Sequence, residues 1–159
     1  MAGRHTMVKK ADVAVIDSNV FIIDLRYQGD RNFAVNSRFL KLVAARRCGV
    51  VSLVNLLEIV GILSFNLNER QLLEFYGYFP RRYNIEVVSS ISLDAHLPEL
   101  KIKDIMDAMT LKASFGDALT IASVASYIPH ASYFVTWDKE HFSGKMNAEV
   151  VTPAEFLRR

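Results

Sequence analysis

The strongest constraint on the fold of this chain is an alternation of short apolar, β-favouring segments with longer segments of helical periodicity. Five segments are predicted to be strands: Val13–Ile16, Val50–Val51, Ile85–Val88, Tyr133–Thr136 and Val150–Val151. The first is apolar throughout, which is typical of a strand buried on both faces. Strands that alternate with helices indicate a mainly parallel sheet covered on both sides. We therefore expect an α/β fold with three layers, α/β/α, around a central sheet of about five strands.

The predicted helices lie between these strands. They are expected at about Phe33–Arg47, after Ser52, from Asn68 to about Pro80, at about Pro98–Ser114, at Gly116–Tyr127 and after Thr152. Ser52, Asn68 and Thr152 are suitable N-caps, because their side-chain oxygens can accept hydrogen bonds from free backbone amides. The helix after Ser52 is expected to turn four apolar side chains toward the core, namely Leu56, Leu57, Val60 and Leu63.

The length and composition of the chain suit one globular domain. Its 159 residues are 51% hydrophobic with a net charge of +2, unlike a disordered chain. The first residues are polar, so we expect a loose N-terminal extension over residues 1–10 and one domain over residues 11–159. No apolar run reaches the roughly 18 residues of a membrane span, and no secretion signal is evident. We therefore expect a cytoplasmic protein with no membrane partner.

The net charge and the less common residue types exclude few classes of function. The net charge of +2 neither requires nor excludes a nucleic-acid partner. Cys48 is the only cysteine, which excludes an internal disulfide bond and a cysteine-based zinc site. Among the scattered histidines, only His141 lies near another candidate, three residues after Asp138. Trp137 could stack a nucleic-acid base or pack in the core.

Two aspartates are predicted to meet at one edge of the sheet. Asp17 directly follows the first predicted strand, and Asp138 lies just past the fourth. The carboxyl ends of parallel strands share one edge, where open α/β sheets bind their ligands. Aspartate is also common where strands end, so either residue alone is equally well explained as a turn former.

Two further acids lie in predicted helices. Glu58 interrupts the apolar run Leu56–Val60, where a carboxylate would lose hydration unless a cation or hydrogen-bond donors compensate. It could instead occupy a narrow solvent-facing stripe. Asp117 opens the helix that follows Gly116, where an acid also favours the helix dipole and can cap free amides. Each residue therefore has a structural explanation beside a functional one.

The four acids together favour a metal site. Clustered carboxylates repel one another and retain protons unless a cation is present. A hard divalent ion, Mg²⁺ or Mn²⁺, suits an all-carboxylate site better than zinc. Such an ion can orient a water molecule, lower its pKa and stabilise charge on a phosphodiester. The candidate metal ligands and catalytic residues are Asp17, Glu58, Asp117 and Asp138.

Five motifs, in order along the chain, resemble those of the PIN-domain family. Val15–Ile22 is similar to the opening motif, an apolar strand followed by Asp, Thr or Ser, and Asn. Leu56–Ile59 resembles the helical Glu motif, and Gly116–Ala122 the central Asp-Ala motif. Val135–Phe142 resembles the block Thr-x-Asp with a following Phe, and Thr152–Leu157 the closing helix. The resemblance covers most of the chain.

The resemblance implies a PIN fold and a Mg²⁺- or Mn²⁺-dependent endoribonuclease, often the toxin of a VapC-type toxin–antitoxin pair. By position, the same four acids would hold the metal and its activated water, with Asn19 and Thr136 as supporting polar residues. The implied partners are an RNA substrate, an antitoxin protein and a second copy in a homodimer.

Two departures from the family pattern weaken the toxin assignment but not the fold. The chain is longer than compact toxins between Ser89 and Ser114. Val54 and Asn55 precede Glu58 where the family often has a small hydroxyl residue.

Two other functions stay open. A non-catalytic PIN-like module that binds RNA or protein would differ from a nuclease in cutting no RNA. An Asp-dependent phosphatase or phosphotransfer domain is less favoured, because such phosphatases need a second Asp two residues after the first. In this chain that residue is Asn19.

Overall fold

The centre of the structure is a sheet of five parallel strands. The computed structural model describes residues 12–159, so the extension expected over residues 1–10 lies outside the described residues. The strands are β1 (Ala14–Ile16), β2 (Gly49–Ser52), β3 (Glu86–Val88), β4 (Tyr133–Val135) and β5 (Glu149–Val151). They lie in the order β3-β2-β1-β4-β5, and every pairing is parallel. The predicted α/β class and parallel five-stranded sheet are confirmed.

The helices of the described residues are α1 (Ser18–Arg26), α2 (Phe33–Arg46), α3 (Leu53–Leu63), α4 (Glu69–Tyr83), α5 (Ile102–Thr110), α6 (Phe115–Tyr127), α7 (Lys139–Phe142) and α8 (Pro153–Phe156). The predicted N-caps of α3, α4 and α8 are confirmed. Ser52 Oγ accepts from the N–H three residues later at 3.2 Å. Asn68 and Thr152 each form a complete capping box. Within residues 12–159, no helix has the length and apolar character needed to cross a membrane.

Successive side chains of β1 enter two different layers of the core. Ala14 and Ile16 pack with a cluster that contains Phe21 and comes mainly from α1 to α4. Val15 packs on the other face of the sheet, with residues of α5, α6 and α7. Neighbouring residues of a strand point to opposite faces, so a strand between two helical layers is apolar throughout. The three-layer arrangement is therefore confirmed.

Helix α4 does not end near Pro80, as the sequence predicted, but continues to Tyr83. The rings of Phe79 and Tyr83 each pack against Phe21, with centroids 4.9 Å apart. Burial of these two rings stabilises the last turn more than the missing N–H of proline destabilises it. The helix ends at Asn84, which adopts the left-handed conformation with φ of 50°.

Two other helical predictions are corrected, and one helix was missed. The helix expected over about Pro98–Ser114 covers only Ile102–Thr110. Leu57 is 40% exposed, because α3 buries Leu56 and Ile59 and leaves the intervening side toward solvent. Helix α1, which begins directly after β1, was not predicted. Its early start places the residues of the first motif on a helix at the carboxyl edge of the sheet.

Candidate active site

The site forms where the neighbouring strands β1 and β4 end. Asp17 follows β1 and is the N-cap of α1, and its Oδ1 accepts from the Ser18 N–H at 2.8 Å. Thr136 follows β4 and is fully buried, and its hydroxyl donates to Asp17 Oδ2 at 2.8 Å. The Asp17 N–H donates to Val135 O at 2.9 Å, which extends the pairing of the strands by one bond. Parallel pairing thus brings together two residues that lie 119 positions apart.

Asn55 occupies the centre of the site, although in the sequence it stood out only as a departure from the family pattern. It is fully buried. Its amide nitrogen lies 3.2 Å from Asp17 Oδ1 and 2.8 Å from Ser18 Oγ, and its oxygen accepts from Ser52 Oγ at 2.6 Å. One signal could have revealed it: an Asn in an apolar helix, one turn before Glu58 and hence on the same face.

Glu58 is linked to Asp17 through Ser18. The Ser18 hydroxyl donates to Glu58 Oε2 at 2.7 Å, while Ser18 Oγ accepts from the Asn55 amide. Glu58 itself is exposed, so it occupies the solvent-facing stripe that the sequence left open and not an apolar environment. The reason is that α3 begins at the carboxyl edge of β2, where its outer side meets solvent.

Asn19 connects the first strand end to Asp138. Its amide nitrogen lies 3.0 Å from Thr136 Oγ1 and 3.2 Å from Asp138 Oδ2. The Asp138 N–H also donates to Thr136 Oγ1, at 3.0 Å. Asp138 is exposed, and its side chain makes no cap to α7. Asn19 and Thr136, the two predicted supporting residues, therefore lie between Asp17 and Asp138.

Asp117 lies in the first turn of α6, but it does not cap the helix. Ser114 is the N-cap, and its Oγ accepts from the Asp117 N–H at 3.2 Å. The Asp117 carboxylate lies 3.5 Å from Nδ1 of His141, the histidine that the sequence placed beside the site. Asp117 is close enough to Asp17 for its charge to affect the pKa of that residue.

Asp17 is the most perturbed acid of the site. Burial raises the pKa of Asp17 from 3.8 to about 7, against the lowering effect of its hydrogen bonds from Thr136 and Ser18. The negative charges of Glu58 and Asp117 raise it further. Asp17 therefore keeps its proton to a higher pH than an ordinary aspartate does, and a positive charge placed among these acids would favour its ionised form.

The donor chemistry of the site fits a hard divalent cation, because all four candidate ligands are carboxylates. Their present spacing is open: within residues 12–159, no three His, Cys, Asp or Glu side chains form a group that could hold a metal ion. Two of the four carboxylates, Glu58 and Asp138, are exposed, whereas Asp17 is held by its neighbours.

Comparison with known proteins identifies the fold through solved structures. No family model matches the sequence, and no curated protein matches it. A chain of FitAB bound to an IR36 DNA fragment matches with a TM-score of 0.56 and 15% identity, over 89% of this chain and 95% of that chain. A chain of VapBC2 from Rickettsia felis, bound to a DNA fragment from the VapBC2 promoter, matches with a TM-score of 0.57 and 15% identity. The match covers 88% of this chain and 98% of that chain.

VapBC-1 from nontypeable Haemophilus influenzae matches with a TM-score of 0.60 and 13% identity, over 89% of this chain and 98% of that chain. The likeness extends over almost the whole length of each of these chains. Together with the parallel sheet and its flanking helices, it shows that the chain has the VapC-like PIN fold that its motifs resemble.

Proposed function

We propose that this chain is a metal-dependent endoribonuclease that hydrolyses RNA phosphodiester bonds. One observation carries the proposal: a continuous set of hydrogen bonds at the carboxyl edge of the sheet runs from Glu58 through Ser18 to Asp17, and on through Thr136 to Asp138. Asp117, on α6, is close enough to Asp17 to raise its pKa. Structural scaffolding alone gives no reason to place acids where their charges repel a buried carboxylate.

The proposed roles follow from the position of each residue. Asp17, Glu58, Asp117 and Asp138 would hold Mg²⁺ or Mn²⁺, and Asn19 and Thr136 would keep two of those acids in position. A bound divalent ion supplies Lewis-acid chemistry, lowering the pKa of a water molecule and stabilising charge on the phosphodiester. Asp17 would set the position of the ion, because hydrogen bonds from three neighbouring residues fix its carboxylate.

For the biological role, we propose the toxin of a toxin–antitoxin pair that acts in the cytoplasm. The support is that the structural neighbours come from VapBC and FitAB structures. An antitoxin protein is the partner that this role requires, and a homodimer with a second copy of this chain is part of the same proposal. The alternative biological role for the same hydrolysis is RNA processing without an antitoxin.

The decisive experiment is cleavage of single-stranded RNA by the purified chain. We expect cutting with Mg²⁺ or Mn²⁺, loss of cutting in EDTA, and loss of cutting in Asp17→Asn. The matched control is Asp94→Asn, which makes the same chemical change at an exposed loop residue far along the chain and should cut as the unsubstituted protein does. Full activity in Asp17→Asn would refute the assignment of the site.

A non-catalytic PIN-like module that binds RNA or protein is the second candidate. The open spacing of the carboxylates favours it, since no described group of three could hold a metal ion as it stands. Such a module would bind single-stranded RNA equally well with Mn²⁺ and with EDTA, and would cut none. Metal-dependent cutting would eliminate it.

A further inference from the structure

A shallow depression of about 490 Å³ adjoins the candidate active site at Asp138. It is lined by Trp137, Asp138, Lys139, Glu140, His141 and Ser143, and is called the Trp137 depression below. It shares Asp138 with the candidate active site, so a molecule that fills it would lie next to the proposed reacting centre.

The indole ring of Trp137 is held in one orientation. Its Nε1–H donates to Asn36 Oδ1 at 2.8 Å, and its backbone N–H donates to Asn19 Oδ1 at 3.2 Å. Asn36 is fully buried, and its own amide donates to Val20 O at 2.8 Å. Trp137 packs partly against the core and is also one of the residues that line the depression. An aromatic surface fixed in this way loses little side-chain freedom when a ligand stacks on it.

The depression has two carboxylates in its lining, those of Asp138 and Glu140, beside Lys139, His141 and Ser143. The Lys139 ammonium donates to both carboxylate oxygens of Glu155 at 3.0 Å, and the Ser143 hydroxyl donates to Lys139 O at 2.8 Å. His141 Nδ1 lies 3.5 Å from the Asp117 carboxylate, so all three groups already have protein partners. Glu140 is exposed, and no described residue pairs with its carboxylate. The depression thus combines an aromatic surface with a free carboxylate, which suits a flat ligand that carries N–H donors.

We propose that the Trp137 depression is a base-binding subsite, in which one base of a single-stranded RNA stacks on Trp137 and donates to Glu140. Guanine fits best, because its Watson–Crick edge presents two adjacent N–H donors to a carboxylate, whereas adenine presents one donor beside an acceptor. The subsite rests on the proposed function, because it assumes RNA as the substrate. With this subsite, the proposed RNA substrate would carry a preferred base, guanine, next to the bond that is cleaved.

Trp137 is the only tryptophan of the chain, so its fluorescence reports directly on this subsite. The experiment titrates the full chain with GMP and with AMP in EDTA, so that no cleavage occurs. We expect both nucleotides to quench the fluorescence, with GMP binding several-fold more tightly. In Glu140→Gln, GMP should bind no better than AMP. The matched control is Glu86→Gln, an exposed acid on the edge strand β3, which should keep the preference.

A second variant tests stacking directly. Trp137→Leu keeps an apolar side chain against the core and removes the aromatic surface, so binding of an end-labelled single-stranded RNA should weaken roughly five- to hundredfold by fluorescence anisotropy. Circular dichroism checks that the variant is folded, and Glu140→Gln tests the subsite without touching the core. No quenching by either nucleotide, or an unchanged GMP preference in Glu140→Gln, would overturn the proposal.

The two proposals fail separately. A chain that cuts RNA but shows no quenching has the nuclease activity without this subsite. A chain that binds GMP through Trp137 and Glu140 but cuts no RNA has the subsite without the nuclease activity.

Discussion

The candidate active site has a buried half and an exposed half, and the two are held differently. In the buried half, Asp17 is 6% exposed and accepts hydrogen bonds from Ser18, Asn55 and Thr136. In the exposed half, Asp138 and Glu58 are exposed and each accepts one side-chain hydrogen bond. The buried half is preorganised, whereas the exposed carboxylates keep most of their hydration and freedom to turn.

The difference shows which carboxylate is electrostatically destabilised in its charged form when the chain folds. The buried carboxylate of Asp17 has lost water, and its pKa is raised to about 7 by that burial and by neighbouring negative charges. An exposed carboxylate loses little hydration on folding. A cation would therefore gain most by interacting with Asp17, while the exposed acids can move toward it. Unfolding experiments on the protein and its variants test this difference between the two halves.

The largest expected effect concerns ionisation of Asp17. Its pKa in the folded protein, about 7, lies above its ordinary value of 3.8, so the folded state binds more protons than the unfolded state between these values. Without metal, the free energy of unfolding should therefore fall as pH rises from about 4 to about 7, by at most about 4 kcal/mol. Urea unfolding in EDTA measures this fall.

Asp17→Asn cannot ionise and should flatten this pH dependence, while Asp94→Asn should retain it. If the curves of Asp17→Asn and the unsubstituted protein were parallel, Asp17 would not be the source of the dependence.

The next effect compares two residues one turn apart on α3. Asn55→Leu should lower the free energy of unfolding by about 3 kcal/mol, because it removes the buried hydrogen bonds that the amide makes with Asp17, Ser18 and Ser52. Glu58→Gln changes an exposed side chain and should alter stability by less than about 0.5 kcal/mol. Urea unfolding at constant pH measures both. Equal losses of unfolding free energy from the two substitutions would contradict the division of the site into a buried half and an exposed half.

The smallest of the three effects is stabilisation by Mn²⁺. If the ion binds only the folded state, a free concentration roughly thirty times its Kd should raise the free energy of unfolding by about 2 kcal/mol. The gain should increase with pH through about 7, because Asp17 must lose its proton to act as a ligand. Thermal unfolding with and without Mn²⁺ tests this, and Asp17→Asn should lose the gain. A gain of the same size in Asp17→Asn would place the ion elsewhere.

Much of the fold could be predicted because its signals are local. Short apolar runs predicted all five strands, since a strand between two helical layers is buried on both sides. The caps at Ser52, Asn68 and Thr152 were predictable because each depends on an amide three residues away. The end of α4 was not, because it depends on the packing of Phe79 and Tyr83 against Phe21, about 60 residues earlier along the chain.

The candidate site could be predicted only in part. Asp17 was identified from its position at a strand end, and Asn19 and Thr136 from the resemblance to the family motifs. The structure connects all three by hydrogen bonds. Asn55 was missed because its function depends on partners from other elements. The sequence left open whether Glu58 lies in an apolar environment or faces solvent, and the structure shows it exposed. A helical pattern does not reveal which side of α3 faces the open edge of the sheet.

Local sequence is sufficient to set the alternation of strands and helices, the predicted N-caps and the types of residue that end the strands. These properties follow from backbone geometry and side-chain period within a few residues. Which carboxylate is buried and which is exposed depends on tertiary packing. Thr136 meets Asp17 across 119 positions of sequence, and Asn55 meets it across 38, through the pairing and packing of separate elements. Contacts over such separations depend on how whole layers pack, which no local pattern encodes.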